Sequence, residues 1–333
     1  MDTLMAVLRW VIGVGVVLWL AMLVLDWVGP TEPVVLSAPA PDLPPLDDLE
    51  PWVAAQEAAV PDLRPEAAKR IVWAGAPGER TDWAVVYLHG FSASREEIRP
   101  VPDEVAAALG ANLFFARLSG HGRDGAAMAE ASVADWMADT AEALAIGRAL
   151  GTRVLVIGTS TGGALAAMAA QDGAMSEGVA GVVLVSPNFR VAGWPGRLIE
   201  WPGVRVWAPF VVGQERGFEP RSPDHARHWT TRYPTVALAP LGALTRAVRS
   251  LDAGAARVPA LFMVSERDLI VDSHAALRAA ARWGQDSGAS AELMSVSLRP
   301  GDDSAGHVLA GDILSPGGTA PLVARIERWA AGL

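Results

Sequence analysis

"RVLVIGTSTGGALAAMAAQ", Arg153 to Gln171, is the stretch on which the fold turns. The branched apolar run Arg153 to Ile157 predicts a buried strand, and Ala164 to Gln171 predicts a helix. Gly158, Thr159, Ser160, Thr161, Gly162 and Gly163 lie between them and have to reverse the chain very tightly. Glycines on both sides of Ser160 meet that demand. A serine that merely caps the helix is the plain structural reading. The same placement suits a nucleophile, which needs a base, an acid to orient that base, and donors for a developing oxyanion.

Working outward, strand-like and helix-like segments alternate. Trp83 to Leu88, Asn112 to Phe115, Val182 to Ser186, Ala260 to Val264 and Ala291 to Leu298 predict further strands, most of them near-continuous apolar runs as in a sheet covered on both faces. Glu96 to Leu109, Val133 to Leu150, Ser273 to Trp283 and Leu322 to Ala330 carry helical spacing. Such alternation predicts an α/β fold with a mostly parallel central sheet and helices on both faces. The rhythm breaks over 190–257, where Trp194, Trp201, Trp207 and Trp229 lie among prolines and arginines. An insertion of this length predicts a helical cap whose large side chains wall an apolar pocket.

A strand, a Gly-x-Ser-x-Gly turn and a helix form a nucleophile elbow, with the Ser160 hydroxyl at the carboxyl end of the sheet. Six histidines compete as its base. His307, in "RPGDDSAGHVLAGD" after the last predicted strand, can reach over the elbow. His274 falls inside a predicted helix, His225 and His228 in the cap, and His89 and His121 before glycines in turns. The acid belongs to "ALFMVSERDLIVDSHAAL". There Asp272 is explained as a helix cap, which leaves Asp268 as the orienting carboxylate ahead of Glu266. Ser160, Asp268 and His307 stand in the chain order of an α/β-hydrolase triad.

These stretches resemble the α/β-hydrolase superfamily, in its esterase, monoglyceride lipase and serine aminopeptidase-like group. "VVYLHGFSAS" resembles the family's strand and His-Gly-aromatic turn, "RLSGHG" its next loop, "GTSTGG" its elbow, "SERDLIV" its acid loop and "SAGHVLAGD" its histidine loop. Ser265 departs from a glycine common before the acid, and Thr159 from a bulkier residue in many relatives. The resemblance implies an oxyanion hole from the backbone N–H groups of Phe91 and Thr161, and an acyl-enzyme on Ser160 resolved by water without metal or organic cofactor.

The 333 residues are 51% hydrophobic, enough for a full-sized core, and the net charge of −10 leaves no electrostatic footprint for nucleic acid. With no cysteine, disulfides and thiolate metal sites are excluded. Residues 1–28 contain an uncharged run from Trp10 to Leu25 flanked by Arg9 and Asp26, which predicts a transmembrane anchor; a signal peptide cleaved near "SAPA", Ser37 to Ala40, is the competing reading. Arg9 before the run and acidic residues beyond it place the main domain on the non-cytoplasmic side. Residues 29–51, with seven prolines among Pro30 to Pro51, predict an extended spacer, and 52–333 the hydrolase domain.

The expected substrate is a carboxyl ester, small or lipid-like, given an apolar cap and a membrane tether. A peptidase would need an acidic group for the substrate amine, for which Glu200, Glu215 and Glu219 in the cap are available. A membrane-tethered scaffold on a degenerate hydrolase fold is the third reading. Acyl length, alcohol group and oligomeric state have no sequence signal.

Overall fold

The computed structural model describes residues 2–333; Met1, the first residue of the expected anchor, lies outside them. Its strands are β1 (Arg70–Val72), β2 (Thr81–Leu88), β3 (Asn112–Phe115), β4 (Gly151–Thr159), β5 (Val179–Val185), β6 (Glu215–Gly217), β7 (Arg232–Pro234), β8 (Ala260–Val264) and β9 (Ala291–Ser295). The α-helices are α1 (Asp2–Val28), α2 (Leu46–Ala58), α3 (Val101–Leu109), α4 (Val133–Leu150), α5 (Thr161–Ala169), α6 (Gly193–Leu198), α7 (Val204–Val212), α8 (Pro223–His228), α9 (Leu238–Ser250), α10 (Ser273–Arg282) and α11 (Pro316–Ala330).

Residues of period two send the central strands into two cores at once. Ala84, Val86 and Leu88 of β2 enter one core with Val154 and Val156 of β4, Val182 and Leu184 of β5 and Phe262 of β8. Val85, Tyr87, Leu155, Ile157, Val183, Val185 and Met263 enter the other. Helices α2, α4, α5, α9 and α10 cover the first face, and α3 and α11 the second. Burial on both sides is why these strands read as unbroken apolar runs.

The sheet runs β1-β3-β2-β4-β5-β8-β9, all parallel except β1, an antiparallel edge paired with β3. From β2 the chain moves outward to β3, then returns past β2 to β4 and continues the other way. This reversal opens a crevice at the carboxyl ends of β2 and β4, where open α/β sheets place their ligands. This is the α/β-hydrolase fold with its mostly parallel central sheet.

Three expectations change. The helix predicted from Glu96 begins only at Val101, because Pro100 and Pro102 lack the N–H that a helix interior requires and fit only its first turn. The expected spacer is helical from Leu46 and crosses the boundary at Pro51, since Leu49 and Val53, one helical turn apart, are both buried in the core. Earlier in the same segment Arg205 grips Glu32 through Nε and Nη2, at 2.6 and 2.7 Å, and the Gly203 N–H donates to Pro30 O at 2.6 Å. The strap is therefore moored along the surface.

The segment 190–257 enters between β5 and β8 as α6, α7, β6, α8, β7 and α9, with β6 and β7 paired as an antiparallel ribbon. Of its four tryptophans only Trp229 is buried, and Trp194 is 72% exposed. Within α1, Thr3–Leu25 has a mean hydropathy of 2.3 and is long and apolar enough to cross a membrane, a test that signal sequences also pass.

Candidate active site

The elbow forms because two glycines let it press against its neighbours. A Cβ on Gly158 would stand 2.5 Å from Gly162 O, and one on Gly162 would stand 2.0 Å from Leu88 O on the adjacent strand. Ser160 at the tip has φ 52° and ψ −111°, a backbone conformation that costs a non-glycine residue about 1–3 kcal/mol. Its N–H donates to Val185 O at 2.9 Å, and its carbonyl accepts from Ala164 and Asn188 at 3.0 and 2.9 Å. The strained turn is thus tied to β5 and α5, and the side chain opens into a cavity of about 380 Å³.

His307 lines the same cavity. Its Nδ1 lies 2.8 Å from Oδ2 of Asp268, a carboxylate whose side chain is 1% exposed. The other oxygen, Oδ1, accepts from the N–H groups of Ile270 and Val271 at 2.8 and 2.9 Å, which fixes the orientation of the carboxylate. Burial opposes the charged ring of His307, but Asp268 foremost, with Glu97 and Asp303 adding to it, outweighs burial and raises the imidazole above its ordinary range. Asp272 instead accepts from His274 N at the start of α10, as a cap.

Asp303 holds the His307 loop, and nothing in the sequence distinguished it from Asp302. Its Oδ2 accepts from His307 N and Val308 N, both at 3.0 Å, and Oδ1 from Ala305 N at 3.1 Å. Arg221 of the inserted segment reaches Oδ1 at 2.7 Å. Burial pushes the Asp303 carboxyl up, but these amides and Arg221 prevail and lower it.

The turn after β2 is set by His89. Leu118 N donates to Nε2 at 3.1 Å, so Nδ1 carries the proton and donates to Gly90 O at 2.9 Å. Burial pushes this ring down to about 4, so it stays neutral. Because a trans peptide points its C=O and N–H in opposite directions, holding Gly90 O turns the Phe91 N–H the other way. Among the described residues neither Phe91 N nor Thr161 N has an acceptor.

Glu97 in the cavity wall escaped sequence reasoning, and His225, weighed as a base and placed in the cap, lines the same wall. Glu97, 3% exposed, accepts from Gly90 N at 2.7 Å and Tyr87 Oη at 2.9 Å, both through Oε2. Burial drives its carboxyl above the ordinary range against these two donors. His225 packs between Phe218 and Trp229, with ring centroids at 5.3 and 4.7 Å. Its Nδ1 accepts from Arg221 N at 3.1 Å, leaving the proton of the neutral ring on Nε2. Of the acidic residues considered for a peptide amine, Glu200 is paired with Arg249 and Glu215 with Arg232, and only Glu219 lines the cavity. Apolar wall is supplied by Phe91, Val191, Leu238, Leu241, Ile270 and Leu314.

Solved structures share this fold. A metagenome-derived lipolytic enzyme of the LipS and LipT pair superposes with a TM-score of 0.64 at 21% identity, over 81% of this chain and 100% of its own. A monoacylglycerol lipase from Paleococcus ferrophilus gives 0.54 at 16% identity, over 78% and 96%. A soluble variant of the monoglyceride lipase from Saccharomyces cerevisiae gives 0.56 at 12%, over 79% and 90%. No curated protein matches the chain. The model of the alpha/beta hydrolase family matches residues 85–320, from the middle of β2 into α11 and across every cavity-lining loop, and the chain belongs to that family.

Proposed function

We propose that this protein is a serine hydrolase that cleaves carboxyl esters through Ser160, His307 and Asp268. The observation that carries the reading is the 2.8 Å pairing of His307 Nδ1 with a buried, amide-oriented Asp268, in a cavity whose wall also holds Ser160. Asp268 fixes the ring with its proton on Nδ1 and frees Nε2 to take the Ser160 proton. The alkoxide attacks the acyl carbonyl, and the N–H groups of Phe91 and Thr161 hold the oxyanion. His307 then protonates the departing alcohol, and water resolves the acyl-enzyme by the same steps.

The mostly apolar wall supports an ester with a hydrophobic acyl portion, including lipid-derived monoesters, with the inserted segment as its cap. The structural neighbours named above, a lipolytic enzyme, a monoacylglycerol lipase and a monoglyceride lipase, agree with this choice of substrate class. A peptidase reading has one observation in its favour, Glu219 on the cavity wall, and turnover of aminoacyl p-nitroanilides in preference to esters would establish it.

Fluorophosphonate labelling tests the nucleophile. Labelling mapped to Ser160, with p-nitrophenyl ester turnover lost in Ser160→Ala, is the expected result; a folded protein that neither labels nor turns over would return it to the scaffold reading. We also assign residues 1–28 to a membrane anchor with the catalytic domain on the non-cytoplasmic side. Their deletion is expected to move the protein from the membrane pellet to the supernatant, whereas an intact mass lacking the first ~40 residues would identify a cleaved signal peptide.

A further inference from the structure

Glu97 faces the reacting centre and has no task in the triad chemistry. In sequence it sits in "SREEIRP", a charge run that reads as a solvated face. Its neighbours dispose of their charges elsewhere: Arg95 bonds Ala68 O and Glu96, and Arg99 bonds Glu96 and Asp103. Glu97 is left as a buried carboxyl with no cation in hydrogen-bond reach among the described residues. A buried charge without a partner is far costlier than a buried neutral acid.

Its geometry decides where the proton sits. Tyr87 Oη lies 2.9 Å from Oε2 and 3.2 Å from Thr159 Oγ1; with its single proton given to the nearer Oε2 and the Thr159 hydroxyl donating to Oη, the Gly90 N–H and Tyr87 O–H fill both lone pairs of Oε2, and a protonated Glu97 carries its hydrogen on Oε1. Oε1 has no partner among the described residues. A Cβ built on Gly90 would lie 2.6 Å from Oε1 and 3.2 Å from Ser160 Cβ, so the free oxygen and the nucleophile flank the same edge of the oxyanion turn.

We propose that Glu97 works as a neutral carboxylic acid whose Oε1 hydroxyl donates a hydrogen bond to an oxygen of the tetrahedral centre formed on Ser160. This rests on the serine-hydrolase reading above. No proton is transferred: the acid keeps its hydrogen and adds one donor to those of Phe91 and Thr161. Ionisation would replace the donor with a negative charge beside the oxyanion. The titratable and charged groups facing Glu97 are Tyr87 from β2 and His307 from its loop, with Glu219, Arg221, His225 and Asp303 on the cavity wall; Glu96 is turned away to Arg99. Burial, the largest influence on Glu97, raises its carboxyl and disfavours its charged form, against Gly90, Tyr87 and the neighbouring His307.

Glu97→Gln is the decisive variant. Its amide oxygen has to take the Oε2 position to accept from Gly90 and Tyr87, which places the NH2 where the acid hydroxyl stood, as a donor that cannot ionise. Glu97→Leu removes donor and acceptors together. Removal of one such donor costs about a hundredfold or more in kcat, so Glu97→Leu is expected to lose at least that while Glu97→Gln retains most of its turnover on p-nitrophenyl butyrate. Wild type is expected to lose kcat on the alkaline side in step with its infrared protonated-carboxyl band, a band and a limb that Glu97→Gln lacks. Superimposable pH profiles across the range in which the band titrates, absence of the band, or a Glu97→Gln as impaired as Glu97→Leu would each overturn the proposal. Fluorophosphonate labelling of Ser160 in wild type separates these outcomes from failure of the hydrolase reading, in which no labelling occurs while the band still reports the state of Glu97.

Discussion

Asp268→Asn swaps one oxygen for an NH2 group, and the structure dictates which one. The backbone N–H groups of Ile270 and Val271 both donate to Oδ1. Only an amide oxygen can occupy that position, so the NH2 of the asparagine is forced to the Oδ2 side, 2.8 Å from His307 Nδ1. A donor there demands that Nδ1 be unprotonated. The ring then carries its hydrogen on Nε2, the atom that in the proposed mechanism accepts the Ser160 proton, and the proposed base is disabled with its position unchanged. The loss expected from a base locked in the wrong tautomer is about 10⁴ in kcat, or roughly 5.5 kcal/mol of transition-state stabilisation. Steady-state turnover of p-nitrophenyl butyrate reads the effect, and the rate of fluorophosphonate labelling at Ser160 is expected to fall with it while the melting temperature holds. An Asp268→Asn protein that keeps more than about a tenth of wild-type kcat, far above that 10⁴-fold loss, would refute Asp268 as the orienting acid.

Since the proposed base His307 has to be neutral to act and its imidazole is raised, kcat/KM is expected to fall as the pH drops through a limb lying above 6.5, read on a neutral ester; a limb below that value would show that Asp268 does not govern the ring. Arg117 reaches Glu57 by two bonds of 2.8 Å, joining α2 to the loop after β3 in a buried pair. Although burial raises the Glu57 carboxyl, Arg117 and Lys69 outweigh it and lower it below the ordinary 4.5, so its contribution is present above that value and lost as the pH falls through the lowered one. Glu57→Ala strands the Arg117 charge and is expected to cost about 3–5 kcal/mol by urea denaturation at pH 7, with a flatter acid-side stability profile than wild type. Gly162→Ala places a methyl 2.0 Å from Leu88 O, so both ester turnover and melting temperature are expected to drop; full activity would mean that the elbow can open without cost.

The elbow was legible because its constraint is local. Branched residues, glycines at fixed offsets and an alanine-rich run follow each other within one turn, and the structure keeps β4, Ser160 and α5 in that order. The core strands were legible for a related reason, as two buried faces leave a continuous apolar signature. β1 left no such trace: three residues at an edge, only Ile71 of them buried, lie below any periodicity. Helix α2 was hidden because prolines dominate its surroundings, although Leu49 and Val53 carry its buried stripe. Glu97 and Asp303 were illegible for a different reason. Their partners are a backbone N–H and a tyrosine hydroxyl in one case, and three amides and an arginine more than 80 residues away in the other. Arg221 is too distant for a spacing rule to report, and the nearer partners are backbone amides and a hydroxyl that meet these carboxylates only through loop conformations no periodicity encodes.

The moored strap changes what a tether can do. A free proline-rich leash would let the domain tumble and present its cavity in any direction. Here Glu32 is clamped to Arg205, and Pro30 to Gly203, only a few residues beyond the end of α1. Were α1 seated in a bilayer, the domain would ride on it like a rudder on its post: the bearing of the cavity mouth would be set by the helix axis, and substrate would be met by lateral diffusion in two dimensions instead of by capture from bulk water.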